Sequence, residues 1–214
     1  MKNIQIIILL LLLNGIVYYN SHAQSFTGRI TYVSHKAIDL KLDTTKYNKE
    51  TIQRTQEIFA KQFQENFVLE YNKINSLYTK QDKMNVNGTT SIGNNKLYKD
   101  FKSKTYTHKL ELLGKVFLVK DSIMHKSWTI TNETKTIGKY LCYKATYNRM
   151  MNDSINTITS WFTREIPINK GPGIYDGLPG LILQVEEGLY TILCTKIELG
   201  TEEINIKNLK EVKL

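Results

Sequence analysis

The chain has 214 residues, 41% of them hydrophobic and 23% charged, with three prolines and a formal charge of +9. These proportions suit a globular domain and exclude a disordered or collagen-like chain, while two cysteines exclude a disulfide-built mini-fold or a multi-cysteine metal centre. Only four of the 29 basic residues are arginines, and the lysines are interleaved with Asn, Thr and Glu along the whole chain. Nucleic-acid readers concentrate arginine forks in one basic stripe, so no nucleic-acid partner is expected.

Lys2 precedes the unbroken apolar run Ile6 to Leu13, which Gly15, Ile16 and Val17 extend before Ser21-His22-Ala23. A charged start, an apolar stretch and small residues at a cleavage site form the pattern of a secretory signal. Cleavage is expected after Ala23. The apolar stretch is shorter than the roughly 20 residues that cross hydrocarbon, and no later segment reaches that length. The reading is therefore a signal peptide, 1–23, and a single mature domain, 24–214. That domain is expected to be periplasmic or secreted, with no transmembrane segment.

Phe26 to Val33 reads as a first strand and Asp39 to Lys49 as a polar connection. Thr51 to Asn66 reads as the one main helix. Ile52, Phe59 and Phe63 share a face, with Ile58 at its edge and polar residues elsewhere. Such a stripe must lie on something, and a sheet is the natural partner. Phe67 to Tyr78 shows alternation, and Asn85 to Asn95 is a glycine- and asparagine-rich loop. Strand-like segments follow around Tyr106, Val116 to Val119, Trp128 to Thr131, Tyr140 to Tyr147 and Ile158 to Ile166. Leu181 to Val185 and Tyr190 to Leu199 come last, joined by a turn at Glu186-Glu187-Gly188. Spacing of about 8 to 12 residues between turn signals predicts an antiparallel meander. The fold class is mainly β (α+β): a curved antiparallel sheet or half-barrel, with the helix packed on its concave side.

All three prolines (Pro167, Pro172, Pro179) and four glycines (Gly171, Gly173, Gly177, Gly180) fall between Pro167 and Gly180. Proline fixes φ and glycine permits unusual φ or close approach, so this is a loop of defined shape. Leu178 is expected to point inward as a plug, and Leu181 to Val185 to be buried on both faces. The loop is either a stiff corner that admits a strand to the sheet or the rim of a binding site. The candidate site positions are Trp161, Pro172, Tyr175, Gly177, Leu178, Pro179 and Gly180.

Gly177-Leu178-Pro179-Gly180-Leu181-Ile182 resembles the hexapeptide that names the GLPGLI family of exported bacterial proteins. Gly138-Lys139-Tyr140-Leu141-Cys142-Tyr143-Lys144-Ala145 resembles that family's Gly-x-x-x-Cys-x-Lys-Ala segment. Ser160-Trp161-Phe162-Thr163-Arg164-Glu165-Ile166-Pro167 resembles its Trp-aromatic-Thr-x-x-Ile-Pro segment, and Gly171-Pro172 its Gly-Pro step. The likeness is dense from about 125 to 187 and looser from Phe26 to Tyr78. It implies secretion and a β-rich fold similar to lipoprotein-carrier half-barrels, and it carries no established activity.

Reactive constellations are sparse. His35, His108 and His125 are scattered, so no metal or cofactor is expected. No Gly-x-Ser-x-Gly elbow exists, and Glu186 and Glu187 are expected to face solvent. Cys142 and Cys194 fall in strands, and either a disulfide or two separate thiols suits them. Trp128, Trp161, Phe162 and Tyr175 are expected to be core. The functional expectation is a non-catalytic binding protein for an apolar ligand. The alternative is an interaction module docking on an envelope or outer-membrane protein. The two divide on whether the concave face is an open cavity or a filled core.

Overall fold

The computed structural model describes residues 27–37, 46–81, 95–151, 153–200, 204–207 and 209. The expected signal peptide, its cleavage point and most of the Asn85 to Asn95 loop lie outside the described residues. The chain runs β1 (Thr27–Lys36), α1 (Lys49–Gln62), β2 (Glu65–Tyr71), β3 (Asn75–Gln81), β4 (Lys96–Asp100), β5 (Thr105–Leu112) and β6 (Lys115–Ser122). It continues through β7 (Thr129–Ile137), β8 (Tyr140–Met151), β9 (Ser154–Thr163), β10 (Leu181–Glu187) and β11 (Tyr190–Gly200).

These strands form one 11-stranded sheet in the order β6-β5-β4-β3-β2-β1-β11-β10-β9-β8-β7. Each pair of neighbouring strands is antiparallel. The order is a meander that runs outward from β1 to β6 and returns from β7 to β11, where β11 rejoins β1. Consecutive strands pair except β6 and β7, which are the two sheet edges. The expected antiparallel meander is thus present, and it is not closed.

Two apolar clusters hold the sheet. One gathers Ile30, Tyr32, Leu69, Tyr71, Tyr78, Leu97, Cys142, Trp161, Leu181 and Leu183. The other gathers Ala145, Ile158, Phe162, Ile182 and Val185. Neighbouring residues of β9 and β10 serve different clusters, and a register shift between Ile182 and Gln184 puts Val185 with Ile182. Leu181 to Val185 is accordingly buried on both faces, with only Gln184 partly exposed. The Tyr32 hydroxyl is satisfied within the core, donating to the Ile182 carbonyl at 2.8 Å.

The segment 164–180 between β9 and β10 joins this core. Ile166 enters the first cluster; Tyr175 and Leu178 enter the second, with Leu178 only 1% exposed. The inward plug expected from the sequence is observed. The segment also reaches β4, since the Lys99 ammonium lies 2.6 Å from an Asp176 carboxylate oxygen. On a flat sheet, β4 and β10 would stand five strand spacings apart, about 24 Å. Asp176 brings segment 164–180 across to β4, and Tyr106 of β5 and Tyr147 of β8, still farther apart in the strand order, border one cleft, so the sheet curls, with segment 164–180 packed into both apolar clusters.

That filling corrects the expected position of the helix. α1 ends at Gln62 because Glu65 and Asn66 pair with Ser34 and Val33 of β1. Its start is capped by the Asn48 side chain, which accepts from the Thr51 amide at 2.8 Å. Its apolar stripe is largely bare: Ile58, Phe59 and Phe63 are 58%, 37% and 51% exposed. Phe59 and Phe63 stack on each other, ring centroids 6.5 Å apart. The helix therefore does not lie buried in the concave face. β4 also had no counterpart in the sequence reading, because Lys96-Leu97-Tyr98-Lys99-Asp100 carries two buried apolar residues between charges. Among the described residues, no helix is long and apolar enough to cross a membrane.

Gly180 marks where the loop meets the sheet. Its φ is +157°, and a Cβ there would stand 2.0 Å from the Thr163 carbonyl oxygen. The obstacle is backbone and cannot swing away. Gly180→Val is therefore expected to cost at least about 3 kcal/mol or to abolish folding. Urea unfolding checks this, and an unchanged midpoint would contradict the close approach.

Candidate binding cleft

Segment 164–180 carries a group of charges into the interior. Asp176 is 6% exposed, and its two carboxylate oxygens receive two lysines: Lys99 of β4 at 2.6 Å and Lys126 at 2.9 Å. Lys126 belongs to the connector 123–128 between the sheet edges. The same connector supplies Trp128, whose ring N–H donates to the Asp176 backbone carbonyl at 2.9 Å. One residue thus ties β4, the β6–β7 connector and the loop together.

Electrostatics explains why Asp176 is charged there. Burial pushes its pKa up, but the charges and hydrogen bonds of Lys99 and Lys126 outweigh burial and hold it below the ordinary carboxylate range. Burial lowers the Lys99 pKa, and Asp176 opposes that shift. A third lysine, Lys170, is 6% exposed and sits 3.7 Å from the Phe101 ring centroid. Burial, with Lys99 nearby, brings its pKa down to about 8. Lys99, Lys126 and Lys170 together outnumber Asp176 by two charges.

A second polar group lies beside the first. Glu187 accepts from Arg149 Nη2, from the Tyr175 hydroxyl and, at 3.1 Å, from the Asn156 amide. Burial, followed by the bond to Glu187, raises the Tyr175 pKa. The expectation that Glu187 sits in a turn facing solvent is corrected: it is the last residue of β10 and three donors converge on it. Arg149 Nε is buried without an acceptor.

Between the groups opens a cleft of about 240 Å³, lined by Lys99, Tyr106, Ile123, Met124, Lys126, Tyr147, Arg149, Ile174 and Asp176. A second cleft, of about 360 Å³, lies on the other side of Asp176 and includes Phe101, His125, Asn169 and Gly177. A third, of about 400 Å³, lies at Tyr71, Asn72, Lys73, Pro167 to Lys170, Pro179 and Gly180. The first is walled by aromatic and aliphatic side chains with cations at its base.

The sequence-derived positions divide. Trp161, Pro172, Tyr175, Leu178 and Gly180 are buried, where they shape the core, while Gly177 and Pro179 are exposed and border clefts. Phe162 is core as expected, and Trp128 is half-buried at the Asp176 carbonyl. Cys142 and Cys194 are free thiols packed in or against one cluster, and burial raises their pKa values to about 11 and about 12. No group of three or more His, Cys, Asp or Glu side chains is placed to hold a metal among the described residues. The sequence reading missed Lys99, Lys126, Lys170, Arg149 and the role of Asp176. The available signal was Asp176 itself, the one charge from Gly171 to Leu183.

Comparison with known proteins adds fold and little else. Residues 149–184, from the end of β8 into β10, match the family described as "Protein of unknown function (Porph_ging)". No curated protein matches. Solved structures of PNGF-II are similar in fold in two crystal forms. The C2 form gives a TM-score of 0.53 at 16% identity, over 83% of this chain and 28% of that one. The P21 form gives 0.52 at 17%, over 83% and 29%. The chain therefore spans less than a third of the length of PNGF-II, and at this identity the likeness extends to the fold alone.

Two expectations follow. Asp176→Asn strands the Lys99 ammonium in the interior and should cost about 3–5 kcal/mol. Glu133→Gln, in the exposed pair with Lys144, should cost under about 1 kcal/mol. Urea unfolding of both separates the buried pair from the surface one. For Lys170, the folded chain holds fewer protons than the unfolded chain between about pH 8 and the ordinary lysine value of 10.5. Its presence destabilises fully below pH 8, and that penalty fades as pH rises. Replacing Lys170 by Met should thus stabilise most at pH 7, with the advantage over wild type shrinking by about 1 kcal/mol between pH 8 and 9. A pH-independent difference would contradict a buried, charged Lys170.

Proposed function

We propose that the chain is an exported GLPGLI-type protein, with a signal peptide at 1–23 and one domain at 24–214, that binds a small apolar ligand without catalysis. The reading refines the ligand to an amphipathic anion: an apolar body against Tyr106, Ile123, Met124, Tyr147 and Ile174, with an acidic head towards Arg149 and Lys126. One observation carries it: an apolar cleft whose base holds Lys99, Lys126 and Arg149, the last with a buried donor lacking an acceptor. A carboxylate would supply that acceptor and offset part of the cation excess. The non-catalytic reading is supported by the state of the buried acid, since Asp176 between two lysines is a weak base. The lipoprotein-carrier analogy is proposed for shape only.

Calorimetry with octanoate and 1-octanol tests the proposal. Octanoate is expected to bind and octanol to bind at least about tenfold more weakly, with Arg149→Leu reducing octanoate affinity by about tenfold or more. Absence of octanoate binding at millimolar concentration, or equal affinity for the two, would refute it. The alternative, docking on an envelope partner, is favoured by a different observation: edge strand β6 is exposed along its whole length.

A further inference from the structure

We propose that β6 pairs antiparallel with β6 of a second copy of this chain, across a two-fold axis at Leu118, making one continuous sheet from two. β6 is a sheet edge whose eight residues are all exposed. Val116, Phe117, Leu118 and Val119 are 37%, 44%, 48% and 45% exposed, so large apolar side chains face solvent on both of its faces. Edge strands are usually blunted by proline, a bulge or inward charge. β6 has no proline, and its pairing with β5 runs without a register shift from Leu112↔Lys115 to Thr105↔Ser122.

The turn fixes which backbone groups are free. Leu113 and Gly114 have φ of +52° and +73°, a two-residue turn of the primed type, so Leu112 and Lys115 exchange backbone hydrogen bonds. Bonding then alternates. Lys115, Phe117, Val119 and Asp121 bond inward to β5, whereas Val116, Leu118 and Lys120 present N–H and C=O outward. A second β6 must bond through this outward set on both copies. Pairings that set an inward-bonded residue opposite an outward-bonded one are thereby excluded.

Of the two-fold registers that remain, the one centred on Leu118 sets Leu118 opposite Leu118 and Phe117 opposite Val119. It also sets Lys115 opposite Asp121, twice by symmetry. The register centred on Phe117 places Lys115 opposite Val119 and Asp121 opposite Leu113. The register centred on Val119 places Asp121 opposite Phe117 and Lys115 beyond the strand. Only the Leu118 register pairs opposite charges while covering the apolar residues of both faces. Lys120 falls opposite Val116, where its stem covers the valine and its ammonium stays wet. The strand is thus complementary to itself in hydrogen bonding, apolar surface and charge. This holds whether or not the cleft binds an anion, because none of these β6 residues lines it.

Sedimentation of the full mature chain tests the pairing. The measurement is made at 0.15 M salt, where screening over about 8 Å limits repulsion between two basic copies. Wild type is expected to pass from monomer to dimer with rising concentration. Lys115→Asp and Asp121→Lys, each of which sets like charges opposite, should weaken the dimer by about tenfold or more. The double variant, which restores opposite charges with the signs exchanged, should recover wild-type affinity. Since β6 is exposed, all three variants should melt within a few degrees of wild type, and circular dichroism checks that they fold. A chain that stays monomeric up to about 1 mM overturns the proposal, as does a dimer indifferent to the single changes or not rescued by the double. Capture of a foreign strand on β6 by an otherwise monomeric chain also overturns it and favours the envelope-docking alternative.

Discussion

The contact between Asp176 and its two lysines is the constraint from which the rest of the arrangement follows. A carboxylate and an ammonium each lose several kcal/mol of hydration on burial, and only close pairing with further hydrogen bonds offsets it. Here both carboxylate oxygens are engaged and the residue's own carbonyl receives Trp128. The loop cannot leave the interior without stranding Lys99, and β4 cannot shift without stranding Asp176. A chain-distant pair, 77 residues apart, therefore fixes segment 164–180 against β4. Such a pair contributes less to net stability than apolar side chains of equal volume would.

The same geometry decides what occupies the concave side. A curved sheet can be lined by a helix or by a shaped loop, and the amphipathic stripe of α1 made the helix the natural candidate. Segment 164–180 takes the place instead. It supplies Ile166, Tyr175 and Leu178 to the core and anchors itself by backbone bonds at both ends, with Leu181 donating to the Ile166 carbonyl and Ile182 to that of Lys170. Its prolines reduce the entropy lost on ordering so long a connection, whereas its glycines add to that loss and stand where the backbone needs positive φ or a close approach. The helix is left beside β1 with much of its apolar face uncovered.

Local patterns were legible in the sequence where one face or one dipeptide decides them. The alternation in β1 and β8 to β11, the doubly buried β10 and the inward Leu178 all follow from residue spacing. The helix was legible as a periodicity, but its end was not, since Glu65 and Asn66 are recruited by Val33 and Ser34 far away in sequence. β4 was hidden because Lys99 reads as a solvent-facing charge, and only its encounter with Asp176 makes that position interior. The cleft was illegible for the same reason. Its lining comes from β4, β5, the 123–128 connector, β8 and the loop, and no sequence window holds more than a few of these residues. Lysine composition also misled: read as a solvated surface, it includes Lys99 and Lys170, 5% and 6% exposed.

The unclosed seam ties the cleft to the free edge. β6 and β7 are joined by a short connector, and two strands so joined would ordinarily fold back on each other as a hairpin. They do not, because the connector is drawn inward at two points: Lys126 to the Asp176 carboxylate and Trp128 to its carbonyl. With the connector held against the loop, β7 pairs with β8, and β6 keeps an outer row of backbone donors and acceptors with no strand beside it among the described residues. The same connector supplies Ile123, Met124 and Lys126 to the lining of the cleft. One buried residue thus holds β4, the β6–β7 connector and segment 164–180 in a single arrangement.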